Sequence, residues 1–129
     1  MIYQWLVRKQ APASWQRLSD QRIDELPLAE NVHFVFLGDH PLAADLRGSD
    51  ELRAWLRNQL FHRLPRLRFE VEDMVVEGPP WSTRVATRYV AMQDERVVYR
   101  STTFARVVWG KLVEERILPD TQALAAVLQ

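Results

Sequence analysis

The sequence contains no cysteine, only four glycines among 129 residues, and no net charge, with 17 basic side chains against 17 acidic ones. Each shortage excludes something. Without cysteine there is no disulfide, no thiolate nucleophile and no Cys-ligated zinc. Four scattered glycines form neither a phosphate-binding loop nor a dinucleotide fingerprint, so no cofactor is expected. A neutral balance gives no electrostatic reason to expect nucleic acid or an anionic membrane as partner. No apolar stretch approaches the roughly 18 residues of a membrane span. The N-terminal MIYQWLVRKQ places its basic residues after its apolar ones, the reverse of a secretory leader. A soluble, cytoplasmic protein is expected. What is present is 47% hydrophobic and 26% charged residues, enough for one domain over residues 1–129 with a real core and a solvated surface.

The first thirty residues read as helix. Ile2, Trp5 and Leu6 share a face, Pro12 interrupts, Ser14 is placed to cap a second segment carrying Trp15 and Leu18, and Pro27 ends it. Val32 to Leu37 is a nearly continuous apolar run and reads as a well-buried strand. The stretch GDHP at 38–41 turns the chain, and Leu42 to Arg47 reads as a short return strand. Asp39 and His40 belong to that turn, where an aspartate bonds nearby backbone; His40 is also a candidate donor at a pocket rim.

Ser49 reads as the N-cap of the clearest helix, with Asp50 and Glu51 suited to the positive end of its dipole. Leu52, Trp55, Leu56, Leu60 and Leu64 fall on one stripe, and Pro65 ends the helix. Then come long strands. LRFEVEDMVVEG alternates Leu67, Phe69 and Val71 against charged residues, STRVATRYVAM alternates again, and RVVYRSTTFARVVW is rich in β-branched and aromatic residues. A turn at Trp109-Gly110-Lys111 leads to KLVEERIL, and Asp120 is placed to cap a last helix. Helices and antiparallel strands without βαβ alternation define an α+β class. The three histidines, His33, His40 and His62, show no metal-ligand spacing, and no metal is expected.

GDHPLAADLRG, the helix with Trp55, RLPRLRFEVEDMVVEGPPWSTRV and WGKLVEERILPDTQ together resemble the nuclear-transport-factor-2-like (NTF2-like) superfamily, in its SnoaL-like and ketosteroid-isomerase-like branch, over about residues 28–128. The resemblance implies a cone-shaped barrel, a curved antiparallel sheet wrapped around N-terminal helices. It also implies a pocket between them for a small apolar molecule and a homodimer through the sheet. Members include isomerases, polyketide cyclases and epoxide hydrolases. The acids of these enzymes do not carry over. The isomerase base falls on Val35, no acid lies between Tyr99 and Val108, and the two hydrolase acid positions fall on Val90 and Ile117. The hydrolase arginine matches Arg88, and an aspartate of the cyclase-like branch matches Asp120.

These readings leave a short set of candidates. His33 shares a strand face with Val35 and is either a core histidine or a pocket base. Arg88 shares a face with Ala86 and Val90. A buried arginine needs a partner, and the resemblance points to Glu115, which alternation places beside Val113 and Ile117. The pair is either a fixed tie between strands or an anchor for a ligand. Arg88, Glu115 and Asp120 are the catalytic candidates. His33, Val35, His40, Trp55, Arg88 and Ile117 are the ligand-binding candidates. Two functions stay open: a pocket for a small, mostly apolar ligand with isomerase, cyclase or hydrolase chemistry, or a non-catalytic homodimeric module paired through Tyr99, Ser101, Thr103, Ala105 and Val107.

Overall fold

The protein is described from a computed structural model that covers the backbone of residues 2–128 and the side chains of residues 11–128. The face expected for Ile2, Trp5 and Leu6 therefore lies outside the described side chains. Helix α1 (Ile2–Ser19) is followed by a 3-10 turn (Ile23–Glu25), β1 (Leu28–Phe36) and β2 (Ala44–Arg47). Next come α2 (Ser49–Trp55), a π-helical turn (Leu56–Leu60) and α3 (Phe61–Arg63), which run on as one bent helix. Four long strands, β3 (Arg68–Glu77), β4 (Thr83–Gln93), β5 (Arg96–Val108) and β6 (Lys111–Pro119), precede α4 (Thr121–Leu128).

The six strands form one curved, unclosed sheet in the order β2-β1-β6-β5-β4-β3. It is not wholly antiparallel, because β1 runs parallel to β6. This gives the α+β, NTF2-like architecture, with α1 and the bent helix lying on the concave face. Trp15 of α1 stacks 4.6 Å from Tyr89 and 5.5 Å from Phe69, while Trp55 of α2 sits 5.3 Å from Phe34 and 5.8 Å from Phe36. The Ser19 hydroxyl accepts from the Phe69 amide at 3.0 Å and fixes the C-terminal end of α1 on β3.

Two helix-boundary expectations are corrected. Pro12 does not divide α1; it lies inside a continuous helix. A proline removes one intrahelical bond and strains one turn, but Pro12 is on the exposed side, and burial of Trp15 and Leu18 holds the helix together. Ser14 is consequently mid-helix and caps nothing. At the second helix the N-cap is Gly48, with φ 101°, and Ser49 is the first helical residue. The left-handed backbone there suits only glycine. The apolar stripe is as the periodicity requires: Leu52, Trp55, Leu56, Leu60 and Leu64 are all buried.

The 38–41 corner is architectural. The His40 ring packs edge-on against Phe36 at 5.0 Å. Its Nδ1 accepts from the Leu42 amide at 3.2 Å and its Nε2 donates to the Leu37 carbonyl at 2.9 Å, which defines one neutral tautomer. Both ring nitrogens are used in closing the turn, so His40 has none left for a pocket rim. Gly38, at φ 120°, lies against the start of α4; a Cβ there would lie 2.2 Å from the Thr121 methyl. Asp120 caps α4, its Oδ1 accepting from the Ala123 amide at 3.1 Å.

Candidate functional site

A cavity of about 160 Å³ lies between the concave face of the sheet and the helices. Its position follows from strand alternation. On β1 the inward residues are Phe34 and Phe36; on β4 they are Val85, Thr87 and Tyr89; on β5 they are Tyr99, Thr103, Ala105 and Val107. The helices supply Trp15, Leu18, Trp55, Leu56 and Leu60. Leu56 and Leu60 belong to the π turn, a rare widening of a helix that recurs at functional sites. Ala11 and Ser14 of α1, Pro27 and Gly110 complete the lining, and of these Pro27 is exposed.

Glu115 is the only charged side chain lining this cavity among the described residues. It stands on β6 between Phe34 of β1 and Ala105 of β5. It makes no hydrogen bond or ion pair with another described residue. Burial favours the uncharged form and pushes the carboxyl up to about 7. A register shift between Arg106 and Val107 on β5 changes which neighbour shares its face. The cavity is lined by Leu112, Glu115 and Ile117, and Val113 is turned away from it.

The other polar groups are hydroxyls. Tyr89 and Tyr99 are fully buried and their oxygens lie 3.2 Å apart. Burial raises both phenols well above their ordinary range, and the nearby Glu115 carboxyl adds a smaller push in the same direction. Both therefore stay protonated and remain donors. Thr87 and Thr103, paired across β4 and β5, complete a polar strip on an otherwise aromatic and aliphatic wall.

The sequence-derived candidates divide by face. Trp55, Glu115 and Ile117 line the cavity. His33 and Val35 do not: Phe34 and Phe36 point inward, so their odd-numbered neighbours lie on the outer face. There His33 Nε2 meets Asp45 Oδ1 at 2.7 Å, and Val35 lies in register with Asp45 and Arg116. Arg88 is also outside. Its side chain is 64% exposed, and its nearest ion-pair partner is Glu72, at 3.8 Å. It cannot pair with Glu115, because the sheet itself separates them. Asp120 is exposed at its cap and lies away from the cavity. The faces of β5 are likewise the reverse of those expected for a dimer: Tyr99, Ser101 and Thr103 are buried on the inner side, and Arg100, Phe104 and Arg106 are exposed on the outer one. A one-residue error in parity moves every side chain of a strand to the other face. The same error hid Tyr89, Tyr99, Thr87 and Thr103, whose signal was the inward alternation of β4 and β5.

An open, helix-filled sheet with an apolar cavity and, among the described residues, one inward-facing, partly buried acid defines an NTF2-like pocket protein. The chain belongs to the SnoaL-like domain family, which it matches over residues 13–115. Three solved structures illustrate the likeness. Bal32a, from a soil-derived mobile gene cassette, is 11% identical, with 98% of each chain covered and a TM-score of 0.78. An NTF2-like protein of unknown function from Burkholderia pseudomallei is 15% identical, with 95% and 96% covered and a TM-score of 0.76. IdmH from Streptomyces antibioticus, a candidate polyketide cyclase, is 19% identical, with 94% and 96% covered and a TM-score of 0.70. At such identities the likeness establishes the fold. No curated protein matches the sequence.

Proposed function

We propose that the cavity binds a small, mostly apolar molecule and that Glu115 exchanges a proton with it, in chemistry of the isomerase or cyclase kind. The observation that carries this reading is Glu115 itself, an unpartnered carboxyl set among Phe34, Ala105 and the tyrosine pair. A carboxyl held near 7 is half ionised at neutral pH, where a general acid–base is most effective. A donor proton from the Tyr89–Tyr99 pair would oppose charge developing on a ligand oxygen. Proton removal next to a carbonyl is the simplest reaction using both groups. The test is deuterium exchange at the α-carbon of cyclohexanone and cyclopentanone in D2O, followed by NMR. Acceleration over buffer that rises with pH through about 7 and vanishes in Glu115→Gln supports the proposal. Exchange no faster than buffer overturns it.

A second reading, a non-catalytic homodimer, draws on the outer face. Val75, Ala86 and Phe104 lie in one row across β3, β4 and β5, and Val75 and Phe104 are more than half exposed. Arg84, Arg106, Glu77 and Glu114 flank the row, so the patch carries both signs of charge and suits a second copy of itself. Sedimentation showing a dimer that Phe104→Lys dissociates supports pairing through this face; a monomer at micromolar concentration removes it.

A further inference from the structure

The cavity's charge content narrows its ligand. Within it lies one carboxyl and no basic group among the described residues. Several basic side chains of the elements around the cavity are committed elsewhere. Arg53 donates to the Ile23 and Leu26 carbonyls, Arg57 pairs with Asp24, and Arg88, Arg106 and Arg116 stand on the outer face. Beside Glu115 stand Phe34 on β1 and Ala105 on β5, and the same cavity is lined by the protonated Tyr89 and Tyr99, by Trp15 on α1 and by Trp55 on α2. None of these is positive.

A carboxylate ligand entering here would meet a second acid, no counter-charge among the described residues and an apolar wall, and like charges in a poorly solvated site repel strongly. A protonated amine would meet the opposite. It would supply the partner that Glu115 lacks among the described residues, and the aromatic wall that includes Trp15, Trp55 and Phe34 tolerates a cation better than an anion. The volume sets the size. About 160 Å³ is close to the roughly 150 Å³ of an apolar cavity that holds one benzene, so the fit is one ring with a short substituent.

We infer that the cavity selects its ligand by charge, taking a one-ring organic ammonium ion at Glu115 and excluding the corresponding carboxylate. This rests on the pocket reading above and adds to it: the ammonium occupies the site of the reacting ligand and competes with it, and the natural ligand is not a free acid.

The test compares four matched probes, benzylamine, benzyl alcohol, toluene and benzoate, by calorimetry on the full chain. Benzylamine is expected to bind at least about tenfold more tightly than benzyl alcohol, the size of effect one desolvated charge-assisted hydrogen bond gives, and benzoate not at all. In Glu115→Gln, checked for native near-ultraviolet dichroism, the amine should fall to the level of the alcohol. A second arm uses the unaltered protein. Ionisation of Glu115 must accompany binding of the cation, so amine affinity should rise about tenfold or more between pH 5.5 and 8.5, while that of toluene stays flat. Benzoate binding as well as the amine, or an amine affinity indifferent to both Glu115→Gln and pH, overturns charge selection while leaving the pocket intact if toluene or the alcohol still binds. No binding by any of the four overturns the pocket reading as well.

Discussion

The Tyr89 and Tyr99 hydroxyls meet at 3.2 Å across β4 and β5, with no solvent reaching either ring. Each hydroxyl can donate once, so a pair that shares one hydrogen bond keeps one proton to direct elsewhere. Ser101 stands opposite Tyr89 on β5, close enough for its hydroxyl to favour the Tyr89 oxygen's charged form. Truncating Tyr89 to phenylalanine therefore leaves the Tyr99 hydroxyl buried and bare, at a cost of about 1–3 kcal/mol. Tyr99→Phe should cost less, because the Ser101 hydroxyl opposite Tyr89 is placed to turn toward it. In a double-mutant cycle followed by urea unfolding, the double variant should cost less than the sum of the singles.

Glu115 makes stability depend on pH in a defined direction. Its folded-state pKa, about 7, lies above the ordinary 4.5, so the folded state holds the proton more tightly than the unfolded one. The contribution of Glu115 to stability is then greatest below about pH 4.5, falls as pH rises toward 7 and levels off above it. At about 1.4 kcal/mol per pH unit, the loss is on the order of 3 kcal/mol. Glu115→Gln removes this slope. Against wild type it should be clearly more stable at pH 8.5 and much closer at pH 4.5, by urea unfolding at the two pH values.

Trp55 closes one wall of the cavity against Phe34 and Phe36 and is 8% exposed. Trp55→Ala should cost about 3–5 kcal/mol, the lost transfer energy plus the void left behind. If the fold survives, the enlarged cavity should accept a two-ring ligand that wild type rejects, read by thermal shift with naphthalene derivatives.

Arg88→Ala should do almost nothing. An exposed arginine at 3.8 Å from a partly exposed glutamate contributes about 0–1 kcal/mol. Its removal should leave ligand affinity in the cavity unchanged, because its side chain projects from the far side of the sheet. A loss of ligand affinity in this variant would contradict the strand parity described above.

Asp120→Ala should destabilise by about 1 kcal/mol through loss of the cap on α4. The change should appear in thermal unfolding and leave ligand binding unaltered.

Much of the architecture was legible because it is local. The spacing of Leu52, Trp55, Leu56, Leu60 and Leu64 is a helical stripe whatever it packs against. The alternation of β4 and the β-branched run of β5 mark strands. Asp120 before a helical segment is a cap by its own chemistry. Even the 38–41 corner could be read as a turn, although the double use of the His40 ring could not. Pro12 misled because its local penalty is real and only tertiary packing of Trp15 and Leu18 outweighs it.

The site was less legible, since a strand has two faces and its sequence does not say which one the helices cover. His33 and Val35 against Phe34 and Phe36, or Tyr99 and Thr103 against Arg100 and Phe104, differ by one residue, and that one step exchanges cavity and exterior. Register shifts add to this: between Val71 and Asp73, and again between Arg106 and Val107, the pairing slips and parity changes within a strand. The sequence alone thus determined the elements, their order and the class of fold, through periodicity and capping that act within a few residues. Only the tertiary structure decided that Glu115 faces inward alone and Arg88 outward, because facing is a relation between a strand and the helices packed on it.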